Sequence, residues 1–201
     1  MVSVNILIEG RTDEPVAKRL LNHLGLEVGT VYGRQGKPYL LKRLPNYNKA
    51  AQFTPWFAIV DLDMDAPCPP QATEQWLPTP ARGMRFRVAV RAIEAWLMAD
   101  RENMAKFLVV TPSKIKHNID LDPNPKETLI NIARTSHSRS IREDLVPRQS
   151  SGAKVGPLYV PRLTEFVENL WRPDVAANES ESLRRCMLAL STLIAWDTSE
   201  I

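Results

Sequence analysis

The stretch from Phe57 to Asp65, Phe-Ala-Ile-Val-Asp-Leu-Asp-Met-Asp, constrains the fold of this chain more than any other. Phe57 to Val60 form a short apolar run of the kind that makes a fully buried strand, and the run stops at a carboxylate. With an extended backbone, Asp61, Asp63 and Asp65 project from one face, and Leu62 and Met64 turn away. Two carboxylates ~5 Å apart repel by roughly 3 kcal/mol at an effective dielectric near 20. A hard divalent cation reverses that cost, so the pattern predicts a site for Mg²⁺ or Mn²⁺. The bland alternative is a turn, which favours Asp for its side-chain to backbone hydrogen bonds.

The chain has 201 residues, 24% charged and 44% hydrophobic, which suits one principal soluble domain. No apolar run approaches the ~20 residues that span a bilayer. The N-terminus reads directly as a strand, without a basic and apolar leader, so the expected location is the cytoplasm. Cys68 and Cys186 are far apart and lack partners at metal-ligand spacing, which excludes a zinc ribbon and argues against a structural disulfide. His23, His117 and His137 offer no ligand pair either. The net charge of +3 is too small to predict nucleic-acid binding. The basic clusters Arg82, Arg85, Arg87, Arg91 and Arg134, Arg139, Arg142, Arg148, Lys154 read as solvated faces.

Val2 to Ile8 is an apolar strand that ends at Glu9-Gly10, a second carboxylate at a strand terminus. Thr12 or Asp13 then caps a helix with Pro15 in its first turn and Gly25 just past its end. In open parallel sheets ligands gather beyond the carboxyl ends of the strands, where Glu9 and Asp61 can meet. Glu27 to Tyr32 is a weaker strand, followed by a basic turn with Gly33, Arg34, Gly36 and Lys37. Residues 39–52 read as one or two short helices broken by Pro45. The segment 66–80, with five prolines, reads as a loop covering the acids. Met84 to Val90 alternates as a strand, and Ala92 to Ala99 turns helical with Glu94 at its rim. Helices are expected at 101–109, 125–135, 161–171 and 182–196, the last with a core stripe of Leu183, Met187, Leu190 and Ile194. Residues 136–157, including Ser150, read as a long polar loop. The fold class is therefore α/β, a mostly parallel Rossmann-like sheet flanked by helices. The expected division is an α/β core over 1–110 and a mainly helical extension over 111–201 on the same domain.

Taken together, Ile6-Leu7-Ile8-Glu9-Gly10-Arg11-Thr12-Asp13, Ile59-Val60-Asp61-Leu62-Asp63 and Arg91-Ala92-Ile93-Glu94-Ala95-Trp96-Leu97 resemble the Toprim fold of topoisomerases, primases and OLD-type nucleases. More closely, the chain resembles a family of small bacterial Toprim-like proteins, whose pattern Gly156-Pro157-Leu158-Tyr159 and Ser182-Leu183-Arg184-Arg185 also match. The resemblance implies that Glu9 is a metal ligand or general acid/base and that Asp61 and Asp63 hold Mg²⁺. It implies that Asp13 matches a metal-binding acid of OLD-type nucleases and that Glu94 matches the helix acid of the small family. Asp65 goes beyond the two-aspartate pattern and is a candidate second-metal residue. Arg11, Lys37 and Lys154 are candidates for neutralising a phosphate.

At this length the chain has neither the strand-passage body of a topoisomerase nor the zinc module usual in primases. The expectation is a Mg²⁺-dependent nuclease hydrolysing phosphodiester bonds in DNA or RNA, acting in a phage-defence or toxin-antitoxin cassette. The alternative is a non-catalytic Toprim-like partner of an ATPase or toxin, since residues 101–201 lie outside the acidic motifs. A homo-oligomer is compatible with either reading. A haloacid-dehalogenase-like phosphatase ranks lower, because its aspartate pair normally lies on the first strand and here follows some sixty residues.

Overall fold

A computed structural model describes residues 1–149 and 151–196, so Ser150 and residues 197–201 lie outside the described residues. In chain order the first elements are β1 (Ser3–Ile8), α1 (Asp13–His23), β2 (Glu27–Gly33), α2 (Lys37–Ala50), β3 (Trp56–Asp61), α3 (Pro69–Trp76) and β4 (Met84–Ala89). The four strands form one parallel sheet in the order β2-β1-β3-β4. Val4, Ile6, Leu7 and Ile8 of β1 and Phe57 to Val60 of β3 are buried, as expected of central strands covered on both faces. The mostly parallel sheet flanked by helices and the helical C-terminal region read from the sequence are both found.

The order of the strands fixes where a site can form. The chain leaves β1 for β2 on one side, then returns across β1 to place β3 on the other. That reversal puts a crevice between the carboxyl ends of β1 and β3. Right-handed crossovers then place α1 and α2 on opposite faces. Leu40 and Leu44 of α2 and Ala72 of α3 pack with Leu7, Ala58, Val60, Phe86 and Val88. Val16, Ala17, Leu20 and Leu21 of α1 are buried, with α1 lying on β2, β1 and β3.

Three local expectations differ from the structure. Pro45 does not break α2, which runs unbroken from Lys37 to Ala50. The lost backbone donor is outweighed by the burial of Leu40 and Leu44. The proline-rich segment is not all loop, because Pro69 and Pro70 take the first turn of α3, where a missing N–H costs nothing. The polar stretch after 136 contains α7 (Arg139–Leu145), started by Ser138, whose hydroxyl accepts from the Ile141 amide.

The chain divides into two compact units, Met1–Val90 with Ser182–Ile201, and Arg91–Glu181. This division differs from a boundary near 110 because α4 (Ile93–Ala99) is buried at all seven positions and packs on helices of the second unit. The helices it packs on are α5 (Arg101–Leu108), α6 (Pro125–Arg134) and α9 (Pro173–Glu179); the second unit also contains α7 and α8 (Tyr159–Asn169). Asp100, fully buried, accepts from the Asn103 amide at 3.4 Å and from Arg172 Nη2 at 2.7 Å.

The last helix, α10 (Glu181–Ser191), belongs to the first unit. Its buried stripe is Leu183, Cys186 and Leu190, continued by Leu193. Ile194 is 54% exposed, so the expected stripe drifts off the core face near its end, where the chain tightens into a 3₁₀ turn over Thr192–Ala195. Arg85 Nε of β4 donates to the Ala189 carbonyl at 3.1 Å and to Thr192 Oγ1 at 2.9 Å. Arg82 lies over the Trp196 ring, 4.6 Å from its centre. Much of the arginine cluster read as a solvated face is therefore spent on holding the C-terminal helix. Among the described residues no helix is long and apolar enough to cross a membrane.

Candidate functional site

Glu9 follows β1 and Asp61 ends β3, the two strands that flank the crevice. The Asp61 amide donates to Glu9 Oε2 at 3.4 Å, although the two residues are 52 positions apart. The parallel register that pairs Ile8 with Ile59 brings them level. The three aspartates do not alternate along one extended strand, as the sequence suggested. β3 stops at Asp61, Asp63 takes a left-handed backbone with φ 48°, and the Asp65 amide closes a turn on the Leu62 carbonyl at 3.2 Å. A non-glycine residue in that region costs on the order of 1 kcal/mol or more, and such positions cluster at functional sites.

The turn delivers Asp63 and Asp65 to Lys37. The Lys37 ammonium donates to Asp63 Oδ2 at 2.5 Å and to Asp65 Oδ2 at 2.7 Å. Its side chain is only 11% exposed, whereas those of Asp63 and Asp65 are 55% and 48% exposed. The ammonium lies 5.8 Å from the centre of the Trp76 ring at the end of α3, so the proline-rich segment does reach the site.

Lys37 is placed by the loop before it. Gly33 has φ 102°, and a Cβ there would meet the Ile8 carbonyl oxygen at 2.0 Å, so only glycine fits. The Arg34 amide donates to the Ile8 carbonyl at 3.1 Å and the Gly36 amide to that of Glu9 at 2.9 Å. The basic turn is thus tied to the end of β1. Both its cations are engaged, Arg34 with Glu14 at 2.6 Å and Lys37 with the aspartates. Arg34 holds the Glu14 carboxyl down at about 2, against the opposing effect of burial.

Glu9 is half-buried, and burial pushes its carboxyl above the usual range. Asp63 and Asp65 add to the rise, while Lys37 and the Asp61 amide oppose it. Burial alone would lower Lys37, but its bonds to Asp63 and Asp65 prevail and raise it. The crevice therefore contains a carboxyl that protonates readily, two accessible carboxylates and one strongly held cation.

The remaining candidates stand apart from this group. Asp13 is buried and turned to its own loop, accepting from the Gly10 amide at 2.7 Å and from Thr12 Oγ1 at 3.4 Å. It fixes the turn that carries Glu9. Arg11 is exposed, and Lys154 is exposed in the second unit. Glu94 also belongs to the second unit, where it is buried rather than at a rim. Tyr159 donates to its Oε1 at 2.8 Å, and the Lys126 ammonium lies 3.9 Å from the same oxygen. Sequence reasoning did not assign Tyr159, Lys126 or Trp76 to these groups. Only Tyr159 gave a signal, through the run beginning at Gly156.

Among the described residues no three His, Cys, Asp or Glu side chains are gathered so as to hold a metal ion together. The acids are arranged around an ammonium. The donor set is nevertheless all carboxylate oxygen, which suits a hard divalent cation in kind and charge. No family model, curated protein or solved structure matches the chain.

Proposed function

We propose that the chain is a Toprim-like, Mg²⁺- or Mn²⁺-dependent phosphodiesterase that cuts nucleic acid. The observation that carries this reading is the contact of the Glu9 carboxylate with the Asp61 backbone amide at the switch point of the sheet, beside a cation shared by Asp63 and Asp65. A bound divalent ion would polarise the phosphate and activate water. Asp61 and Asp63, with Asp65 beside them, are the residues that would hold it. Glu9, whose carboxyl is raised, exchanges a proton with the attacking water or the leaving oxygen. Lys37, once released from the aspartates, is within reach of a phosphate oxygen.

The test is cleavage of labelled DNA and RNA by the purified protein with Mg²⁺ or Mn²⁺, beside Glu9→Gln, Asp61→Asn and Asp63→Asn. These changes keep side-chain shape and remove charge. Cleavage by the unaltered protein, lost by about 10²-fold or more in each variant, is the expected result. Cleavage indifferent to all three overturns the reading.

A second reading, a non-catalytic partner of an ATPase or toxin, is favoured by Lys37 itself. An ammonium at 2.5 and 2.7 Å already balances Asp63 and Asp65, so the acids have a stable arrangement without metal. Under that reading the three acid variants still co-purify with an ATPase or toxin encoded beside the protein, and none of the purified proteins cleaves.

A further inference from the structure

Between Glu27 and Asp61 the sequence contains no acidic residue, but it contains Arg34, Lys37, Lys42, Arg43 and Lys49. The rest of the chain carries 21 basic and 23 acidic side chains, so the whole positive surplus resides in this one segment. The segment forms β2, an edge strand of the sheet, then α2 and the start of β3. Two of its five cations are turned inward onto carboxylates, Arg34 onto Glu14 and Lys37 onto Asp63 and Asp65. The other three, Lys42, Arg43 and Lys49, are exposed on α2, and none has a carboxylate partner among the described residues.

Exposed lysines on a helix are ordinary when acids are interleaved with them. This chain interleaves them elsewhere, as in Glu14 with Lys18 on α1, Arg139 with Glu143 on α7 and Arg162 with Glu165 on α8. Helix α2 has no acid at all. Lys42 and Lys49, seven residues apart, share one solvent face about 10 Å long, opposite the buried Leu40 and Leu44. Arg43 is set beside them with its guanidinium over the Tyr39 ring, 5.6 Å from the centre. Lys49, in the last turn, complements the helix dipole, but Lys42 and Arg43 in mid-helix have no such role and no acid beside them, so the face suits an external anion.

We propose that the solvent face of α2 is the track along which a single nucleic-acid strand docks on its way to the Glu9–Asp61 crevice. The helix begins at Lys37, inside that crevice, and carries Lys49 about 18 Å further on, a span of several phosphates. Tyr32 of the edge strand is 38% exposed and packs on Tyr47 of α2 at 5.4 Å between ring centres, which gives unstacked bases an aromatic surface beside the track. A membrane is disfavoured, since an interfacial helix needs exposed apolar anchors and the leucines at positions 40 and 44 are turned to the core.

This inference deepens the phosphodiesterase reading by naming the surface that holds the substrate, and its test does not depend on catalysis. Anisotropy of labelled single-stranded DNA and RNA oligonucleotides is measured in EDTA against three proteins whose folding is checked by circular dichroism. These are the unaltered chain, the variant K42Q/R43Q/K49Q, and a control, K106Q/K114Q/K116Q, which removes exposed lysines from the second unit. The expected result is that the α2 variant binds at least tenfold more weakly while the control is unchanged. The slope of log affinity against log salt falls by about two for three phosphate contacts. Equal binding by the α2 variant and the unaltered chain overturns the proposal. So does a chain that binds phosphatidylserine vesicles but neither oligonucleotide. Hydrolysis of bis(p-nitrophenyl) phosphate with Mn²⁺ separates the two ideas. Strand binding without hydrolysis keeps the track and removes the enzyme, and hydrolysis without strand binding does the reverse.

Discussion

The Lys37 ammonium sits 2.5 Å from Asp63 Oδ2, joining the first residue of α2 to the turn that follows β3. Lys37→Met keeps the length of the side chain and leaves Asp63, Asp65 and Glu9 to repel one another. Because the aspartates are about half exposed, the expected loss is modest, about 1 kcal/mol. In EDTA the variant melts a few degrees below the unaltered protein. Millimolar Mg²⁺ restores much of that difference if the acids accept a divalent ion. Thermal melts with and without the metal decide the matter, and a melt indifferent to Mg²⁺ in both proteins removes the metal from the site.

Glu9→Gln is expected to change the dependence of stability on pH. The folded protein holds the Glu9 carboxyl above its ordinary value of 4.5, chiefly through burial, so the ionised form is disfavoured by the fold. Its contribution to stability is complete below that value and is lost as pH rises through the raised folded-state value. The glutamine variant should therefore melt higher than the unaltered protein near pH 7, with the gap closing below about 4.5. A gap that is constant across this range, or of opposite sign, contradicts the assignment.

Asp100 and Arg172 predict a larger effect within the second unit. Asp100 is fully buried, and Arg172 reaches it through its backbone amide at 3.0 Å and through Nε and Nη2 at 3.1 and 2.7 Å. Arg172→Ala leaves the buried carboxylate two backbone amides but no counter-ion, and is expected to cost about 3 kcal/mol. Adding Asp100→Asn in the same chain should recover part of that loss. Denaturant unfolding of the two variants measures both values, and additive losses would show that the two groups are not coupled.

The two cysteines should differ in reactivity. Cys186 is fully buried on α10, and burial pushes its thiol up to about 12 despite Arg87 nearby, whereas Cys68 is exposed. A thiol reagent should modify one cysteine rapidly and the other only in denaturant. Cys68→Ser should abolish the fast phase, and a fast phase surviving in that variant would place Cys186 at the surface.

The strands are legible because β1, β3 and β4 carry apolar runs that only buried sheet positions explain, and the two strand-end acids point to the crevice. What escapes a reading of the sequence depends on contacts between distant positions. The turn at Asp63 cannot be read from Leu-Asp-Met, because it is drawn over by Lys37, 26 positions earlier. Glu94 reads as a rim residue because its partners, Tyr159 and Lys126, lie on other helices. Pro45, Pro69 and Pro70 read as breaks, although proline is tolerated in a first turn and within a helix anchored by buried leucines. On α10 the buried position is Cys186 and not the expected Met187, and the stripe loses Ile194 where the helix tightens at Thr192.

The first unit takes its final helix from the far end of the chain, with the whole second unit, Arg91–Glu181, between β4 and the bulk of α10. A ribosome delivers β4 long before the segment containing Ala189 and Thr192, so Arg85 must wait for these partners during synthesis. The helical insert has emerged by then and can fold on its own contacts first. Docking of α10 on β4 therefore follows the helical insert in time, and a nascent chain stopped short of Glu181 leaves Arg85 without its Ala189 and Thr192 acceptors.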